Sequence, residues 1–222
     1  MFMSEIRKVH IMNLGLTPYE ESLNLMKSLQ KKRIDDEIID TLIFLQHPEV
    51  VTVGPRARND GITPPSDYHS VPVDRGGGLT WHGPGQLVAY PVFKWDMEGE
   101  NSVAQIISKL EGWIIAALSL CKIDSSIDKR MQGVWVDGKK ISSIGLSFLR
   151  WTSRHGLTIN YDTPQSRVEL LSGCGLEAQT TTSLKRLGYD ISFEVLMENL
   201  ISSMNQHLNR EFDLPIIDDP SQ

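Results

Sequence analysis

The chain has 222 residues, 40% of them hydrophobic and 23% charged, an ordinary globular composition with enough length for a substantial core. A net charge of −6 argues against nonspecific nucleic-acid binding, and two cysteines, Cys121 and Cys174, are too few for a disulfide framework and fit a reducing, cytoplasmic setting. No apolar run reads as a bilayer span, and the N-terminal segment Met1–Lys8 lacks the apolar region of a secretory signal.

Ile6 to Leu14 alternates loosely and predicts a strand. Thr17-Pro18 reads as an N-cap with proline at the first helical position, followed by Tyr19, Leu23, Met26 and Leu29 at helical spacing. Asp40–Gln46 and Val50–Gly54 read as strands around a His47-Pro48 turn, and Pro55–Tyr68 reads as a loop. Asp74–Pro91 then packs five glycines and two prolines into one segment. Such a loop is entropically costly, so it serves either close approach to a ligand or unusual backbone angles. Its spacing fits neither the P-loop nor the dinucleotide fingerprint.

Val88–Phe93 reads as a further strand. Ser102 caps a second helix with apolar residues at Val103, Ile106, Ile107, Leu110, Trp113 and Ile114, a stripe that continues to Cys121 and makes that thiol a packing residue. Gln132–Val136, the dipeptide Asp137-Gly138 and Lys139–Leu146 form a strong hairpin signal with a type I′ turn. Leu146–Trp151 and Gly156–Asn160 look like strands, and a final helix starts near Ser192 and runs toward Phe212. Strands in the middle and helices at both ends, without regular alternation, predict an α+β fold. The expected architecture is a mixed or antiparallel sheet with packed helices, in one domain over residues 1–222.

Cys174 lies between two glycines, outside any apolar periodicity, where reactivity explains a thiol better than packing does. As a nucleophile it needs a base or a lowered pKa. Lysine is one source. A two-residue turn at Asp137-Gly138 pairs Val136 with Lys139 and Trp135 with Lys140, and strand alternation puts Lys140 with Trp135, Ser142, Ile144 and Leu146. A lysine on such a face is desolvated and its pKa falls. The residues alone leave open whether both lysines are solvated at the hairpin tip. Between Lys129 and Arg154, six basic residues (Lys129, Arg130, Lys139, Lys140, Arg150, Arg154) face one acid, Asp137, a candidate docking face for an acidic partner. His82, in a Gly-Pro-Gly setting, is either a base or an orienting residue of its loop, and His47 reads as a turn residue.

Arg75-Gly-Gly-Gly-Leu-Thr-Trp-His-Gly-Pro-Gly-Gln-Leu-Val-Ala-Tyr-Pro91 resembles the signature of the lipoyl(octanoyl) transferases of lipoate biosynthesis. The resemblance extends to Gly133-Val-Trp-Val, Lys140-Ile-Ser-Ser-Ile-Gly145, His155-Gly-Leu-Thr-Ile-Asn160, and Cys174-Gly175 with Thr182-Ser-Leu184. It implies a fold related to biotin and lipoate protein ligases. It implies Cys174 as the acyl-thioester nucleophile and Lys140 as its partner lysine. It also implies substrate contacts from Arg75, Gly76, Gly77, Gly78, Leu79, Thr80, Trp81 and His82, and from Ser143, Ile144, Gly145, Gly156, Leu157 and Thr158. Two departures stand out. Gly173 replaces the proline usual before the cysteine, and Trp81 stands where tyrosine or phenylalanine is commoner.

The implied reaction moves an octanoyl group from octanoyl-acyl carrier protein to Cys174, then to the target lysine of an apo lipoyl domain. That domain belongs to the E2 subunit of a 2-oxoacid dehydrogenase or to the glycine-cleavage H protein. Thioester to amide is downhill, so no cofactor, ATP or metal is expected, and neither nucleic acid nor membrane is an expected partner. Two rivals are an ATP-dependent lipoate- or biotin-protein ligase on the same fold and a non-catalytic module that binds acyl chains or carrier domains. The absence of a recognisable nucleotide loop speaks against the first, and the pairing of Cys174 with Lys140 against the second.

Overall fold

A computed structural model describes residues 6–171, 180–213 and 217–218. The main sheet begins with β1 (Arg7–Leu16), crosses through helix α1 (Tyr19–Ile34) and returns as β2 (Asp40–Gln46), parallel to β1. Next come β3 (Val50–Val53), the short helix α2 (Pro55–Asn59), β4 (Ser70–Pro72), β5 (Leu79–His82) and β6 (Gln86–Val92). Helix α3 (Val103–Leu120) leads to β7 (Ser126–Asp128), β8 (Met131–Val136) and β9 (Lys139–Lys140), then β10 (Ser142–Leu149) and β11 (Thr152–Asn160). Helix α4 (Phe193–Leu208), β12 (Arg210–Phe212) and β13 (Ile217–Asp218) complete the described chain.

Among the described residues the main sheet has the order β10-β11-β6-β2-β1-β12, with β13 also on β1. It is mixed: β1 runs parallel to β2 and β12, while β2–β6, β6–β11 and β10–β11 are antiparallel. Two small sheets, β4-β3-β5 and β7-β8-β9, flank it. Alternation along the central strands divides the apolar residues between two layers. Leu42, Phe44, Leu87 and Ala89 join α3 and α4 in the larger core, whereas Ile43, Leu45, Val88 and Tyr90 pack under α1 with Met26. The α+β expectation therefore holds, with the parallel β1–β2 pair making the sheet mixed.

Several local expectations are corrected. Thr17 does not cap α1: its hydroxyl donates to Leu14 O at 2.8 Å, and Pro18 occupies the cap position. Ser102 and Ser192 do cap α3 and α4, accepting from Gln105 and Val195 N–H groups. Asn209, left-handed at φ 52°, ends α4, so Arg210–Phe212 is a strand and not helix. Cys121 is the C-terminal cap residue of α3 and only half-buried, with Asn199 Nδ2 donating to its Sγ at 3.0 Å. Pro55–Asn59, read as loop, is helical.

By length and composition α3 is apolar enough to cross a membrane, which the sequence reading did not credit. Its Ile106, Leu110, Trp113 and Ile114 are fully buried in the larger core, and Trp113 Nε1 donates to Leu200 O of α4. It is a core helix of this fold.

The long second arm of the predicted hairpin is also interrupted. Its register is as expected, Trp135 opposite Lys140 and Val136 opposite Lys139. At Ile141, however, the chain leaves β8 and enters the main sheet as β10, paired with β11 around Arg150-Trp151. Ile141 is itself buried and its N–H donates to Val134 O, so the crossing stays in the core.

Candidate active site

The glycine-rich segment folds around the guanidinium of Arg75. Arg75 Nη2 donates to Thr52 O at 2.9 Å, Thr52 Oγ1 at 2.6 Å and Gly78 O at 3.0 Å, and Nη1 donates to Gly76 O at 3.0 Å. A buried cation thus organises carbonyls that the loop could not otherwise satisfy. Gly76 N–H donates to Leu146 O, laying the loop across β10. The crossing is close enough that a Cβ on Gly145 would sit 2.9 Å from Gly76 O; within the sheet, one on Gly156 of β11 would sit 2.0 Å from Ala89 O of β6. Glycine at both positions is therefore a requirement of approach.

Arg75, Thr80, Ile144, Gly145, Leu157 and Thr158 line one cavity, together with His82, Ser143 and Gly156. Leu79, Thr80, Trp81, Ser143, Thr158 and Lys140 line a second. Thr80, Ser143 and Thr158 border both, so the two adjoin as neighbouring parts of one cleft. Gly76, Gly77 and Gly78 line neither cavity, and instead form the loop behind Arg75. Cys174 lies outside the described residues, but Leu171 and Thr181, on either side of that segment, line the same cavity as Lys140.

Lys140 is 5% exposed, while its neighbour Lys139 is exposed to solvent. Its backbone N–H donates to Thr180 O at 2.9 Å and its carbonyl accepts from Thr182 N at 3.0 Å. The same strand is thus held by β8 on one side and by Thr180–Thr182 on the other. The lysine stem lies over Gly133, where an added Cβ would come within 2.8 Å of Lys140 Cε.

His82 is held at both nitrogens. Nδ1 lies 2.8 Å from Gln86 Oε1 and Nε2 lies 3.2 Å from Thr52 Oγ1. Gln86 Nε2 donates to Trp81 O and Asn160 Oδ1, so Gln86 Oε1 accepts and His82 carries its proton on Nδ1. Asn160 Nδ2 continues the chain to Thr182 O, beside Lys140. Burial, with Arg75 and His47 adding repulsion, holds the His82 imidazole well below its ordinary pKa.

Several residues of the cleft carried no signal in the sequence. Tyr19 and Tyr90 line the cavity, and His47, read as a turn residue, is fully buried between Thr17 O at 2.7 Å and Tyr90 Oη at 2.8 Å. Asp74 accepts from His155 Nε2 at 2.9 Å and pairs with Arg154, joining the glycine loop to β11. The His155 bond, reinforced by Arg154, holds the Asp74 carboxyl down to about 2, and burial lowers His155 despite that partner.

Three of the six basic residues read as one docking face are engaged within the chain. Arg154 is committed to Asp74, Arg130 pairs with Asp128 at 2.7 Å and stacks on Trp135, and Lys140 is buried.

The buried histidines set an acid limit. Burial lowers His47 to about 4, against an unfolded value near 6.5. Because the folded value is depressed, the unfolded chain takes the proton first. The stabilisation is complete above about pH 6.5 and is lost as pH falls toward 4, by about 3 kcal/mol for His47 alone. Urea midpoints measured from pH 7.5 to 4.5 should fall accordingly, and His47→Gln should flatten the profile. An unchanged profile would mean that His47 titrates normally in the fold.

The description "Lipoyl protein ligase A/B catalytic domain" matches residues 18–205. An octanoyltransferase of Syntrophobacter fumaroxidans is 35% identical over 94% of this chain and 92% of its own length. One of Caldanaerobacter subterraneus is 33% identical over 94% and 93%. In fold, the chain is similar to a bipartite lipoate protein ligase of Thermoplasma acidophilum, with a TM-score of 0.66 at 15% identity over 95% of this chain and 88% of that one. A biotin protein ligase of Aquifex aeolicus gives 0.53 at 11% identity, over 91% and 69%. With the glycine loop wrapped on Arg75 and a buried lysine at the end of one cleft, the chain belongs to the lipoyl protein ligase A/B catalytic family, among its octanoyltransferases.

Proposed function

We propose that this protein is a single-domain, cytoplasmic acyltransferase that moves an octanoyl group from octanoyl-acyl carrier protein to the target lysine of an apo lipoyl domain. The acceptor class is that of E2 subunits and of the glycine-cleavage H protein. The Thermoplasma ligase, described with its E2 lipoyl domain, supports that class. The observation that carries the reading is the cleft: it joins Lys140 to the cavity under Arg75, and Leu171 and Thr181 bring the chain ends around Cys174 to the lysine.

In this reading Cys174 thiolate attacks the thioester carbonyl, its proton having passed to Lys140. The tetrahedral intermediate collapses to octanoyl-Cys174 and releases the carrier thiol, which takes that proton. The acceptor lysine amine then attacks the new thioester. An amide forms, Cys174 leaves as thiolate, and Lys140 receives the amine proton. An oxyanion developing at the carbonyl needs N–H donors. Gly76 N–H is committed to Leu146 O, so such donors come from elsewhere in the cleft. The chain's seven carbons beyond the carbonyl, buried along Ile144 and Leu157, would contribute roughly 5 kcal/mol of binding.

Incubation with octanoyl-acyl carrier protein alone should add one octanoyl group, removable by hydroxylamine and visible in the intact mass. Cys174→Ala should abolish the adduct and Cys121→Ala should leave it. Acylation of Cys121, or undiminished transfer by Cys174→Ala, would overturn the assignment. Transfer from free octanoate that requires ATP would instead identify a ligase.

A further inference from the structure

The cleft beyond Lys140 ends on more hydrogen-bonding groups than a hydrocarbon chain needs. The β6–β11 ladder gives its direction: Val88 faces Thr158, Ala89 faces Leu157, and Tyr90 and His155 follow on the side away from Asn160 and Lys140. Thr158 to His155 is three residues of strand, about 10 Å. Tyr19, from the first turn of α1, lines the same cavity, its ring against His47 at 5.4 Å and His82 at 6.3 Å between centroids.

Most polar atoms here already have partners. Tyr90 Oη is bonded to His47, His155 Nε2 to Asp74, and the Arg75 guanidinium to Thr52, Gly76 and Gly78. Tyr19 Oη differs. The residue is 7% exposed, and among the described residues its hydroxyl has no hydrogen-bond partner. Burial pushes its pKa up to about 12, so it is a protonated donor throughout the working range. A buried hydroxyl facing a methyl terminus stays unpaired, a standing penalty that a ligand oxygen would remove.

We propose that the Tyr19 hydroxyl recognises the far end of the acyl chain. The cleft then accepts medium-chain acyl groups carrying a hydroxyl on the terminal carbon, such as 8-hydroxyoctanoyl, alongside plain octanoyl. The inference rests on the reading above, in which the acyl carbonyl lies at Lys140 and the chain runs toward Tyr19. A terminal hydroxyl can accept from Tyr19 where a methyl cannot, while an oxygen two carbons nearer the carbonyl meets the Ile144 and Leu157 walls and finds no such donor.

The test compares octanoyl, 8-hydroxyoctanoyl and 6-hydroxyoctanoyl carrier-protein thioesters as donors to a lipoyl domain, with binding of the three free acids measured by calorimetry. Wild type should use 8-hydroxyoctanoyl at least as well as octanoyl, and about tenfold better than the 6-hydroxy isomer. Tyr19→Phe should erase that positional preference in both transfer and binding. Equal penalties for the two hydroxy chains in wild type, or a preference retained by Tyr19→Phe, would overturn the proposal. Should the variant fail to fold, the wild-type comparison of the two isomers decides by itself. Should wild type transfer none of the three chains, the function reading fails, and the binding arm still decides the subsite.

Discussion

Lys140→Met is expected to lower octanoyl transfer by about 10²–10⁴-fold, the span of a general acid–base group, while Lys139→Met changes it by no more than about twofold. The two residues are adjacent, equally charged and opposite in environment. Lys139 pairs with Val136 and is exposed, whereas Lys140 pairs with Trp135 and is buried over Gly133 at the cleft. Methionine keeps the apolar stem and the packing on Gly133 and deletes only the amine. A second readout separates chemistry from packing. The pH dependence of iodoacetamide labelling of Cys174 should titrate below the ordinary thiol value of about 8.5 in wild type and move upward in Lys140→Met. Damage from Lys139→Met instead would mean that the exposed lysine is the functional one. If neither substitution mattered, the cysteine–lysine assignment would fall, since His82 has both nitrogens engaged within its own loop.

The register that separates these lysines was legible because it depends on local chemistry. Asp137 and Gly138 both take left-handed backbone, at φ 49° and 72°, as a type I′ turn requires, and the Asp-Gly dipeptide announces it. The next hairpin was not legible for the converse reason. Its turn residues Arg150 and Trp151 are also left-handed, at 46° and 61°, and neither side chain advertises that conformation. Strand existence was readable from alternation, but partner direction was not, so the parallel β1–β2 pair went unseen. The glycine loop was visible as a loop, yet Thr52, which anchors Arg75, comes from a strand that reads as plain core. Tyr19 and Tyr90 were hidden in the same way. Each fits an apolar period, and only the meeting of α1 with β6 turns them into the end of a cleft.

Nor does the sequence announce the ionic cluster at the base of the sheet, where the largest stability effect is expected. Arg210→Leu should destabilise the fold by about 3–5 kcal/mol, because it removes one partner from a buried pair. Arg210, Asp40 and Glu100 are each fully buried. Arg210 Nε donates to Asp40 Oδ2 at 2.8 Å, Nη1 to Glu100 Oε1 at 2.6 Å, and Nη2 to Lys94 O at 2.9 Å. The guanidinium also lies over the Phe93 and Trp95 rings, at 4.8 and 4.6 Å. Asp40 has a second cation in Arg33 and accepts from Lys94 N–H, so it keeps partners when Arg210 is lost. Glu100 retains only Lys109 at 3.4 Å as an ion-pair partner among the described residues, and becomes the stranded charge. Adding Glu100→Leu should therefore recover part of the loss, whereas adding Asp40→Asn should not, since it weakens Arg33 as well. Urea unfolding of the single and double variants reads both effects. A cost below about 1 kcal/mol for Arg210→Leu, or no recovery from Glu100→Leu, would show that the desolvation cost of the buried ions cancels their pairing.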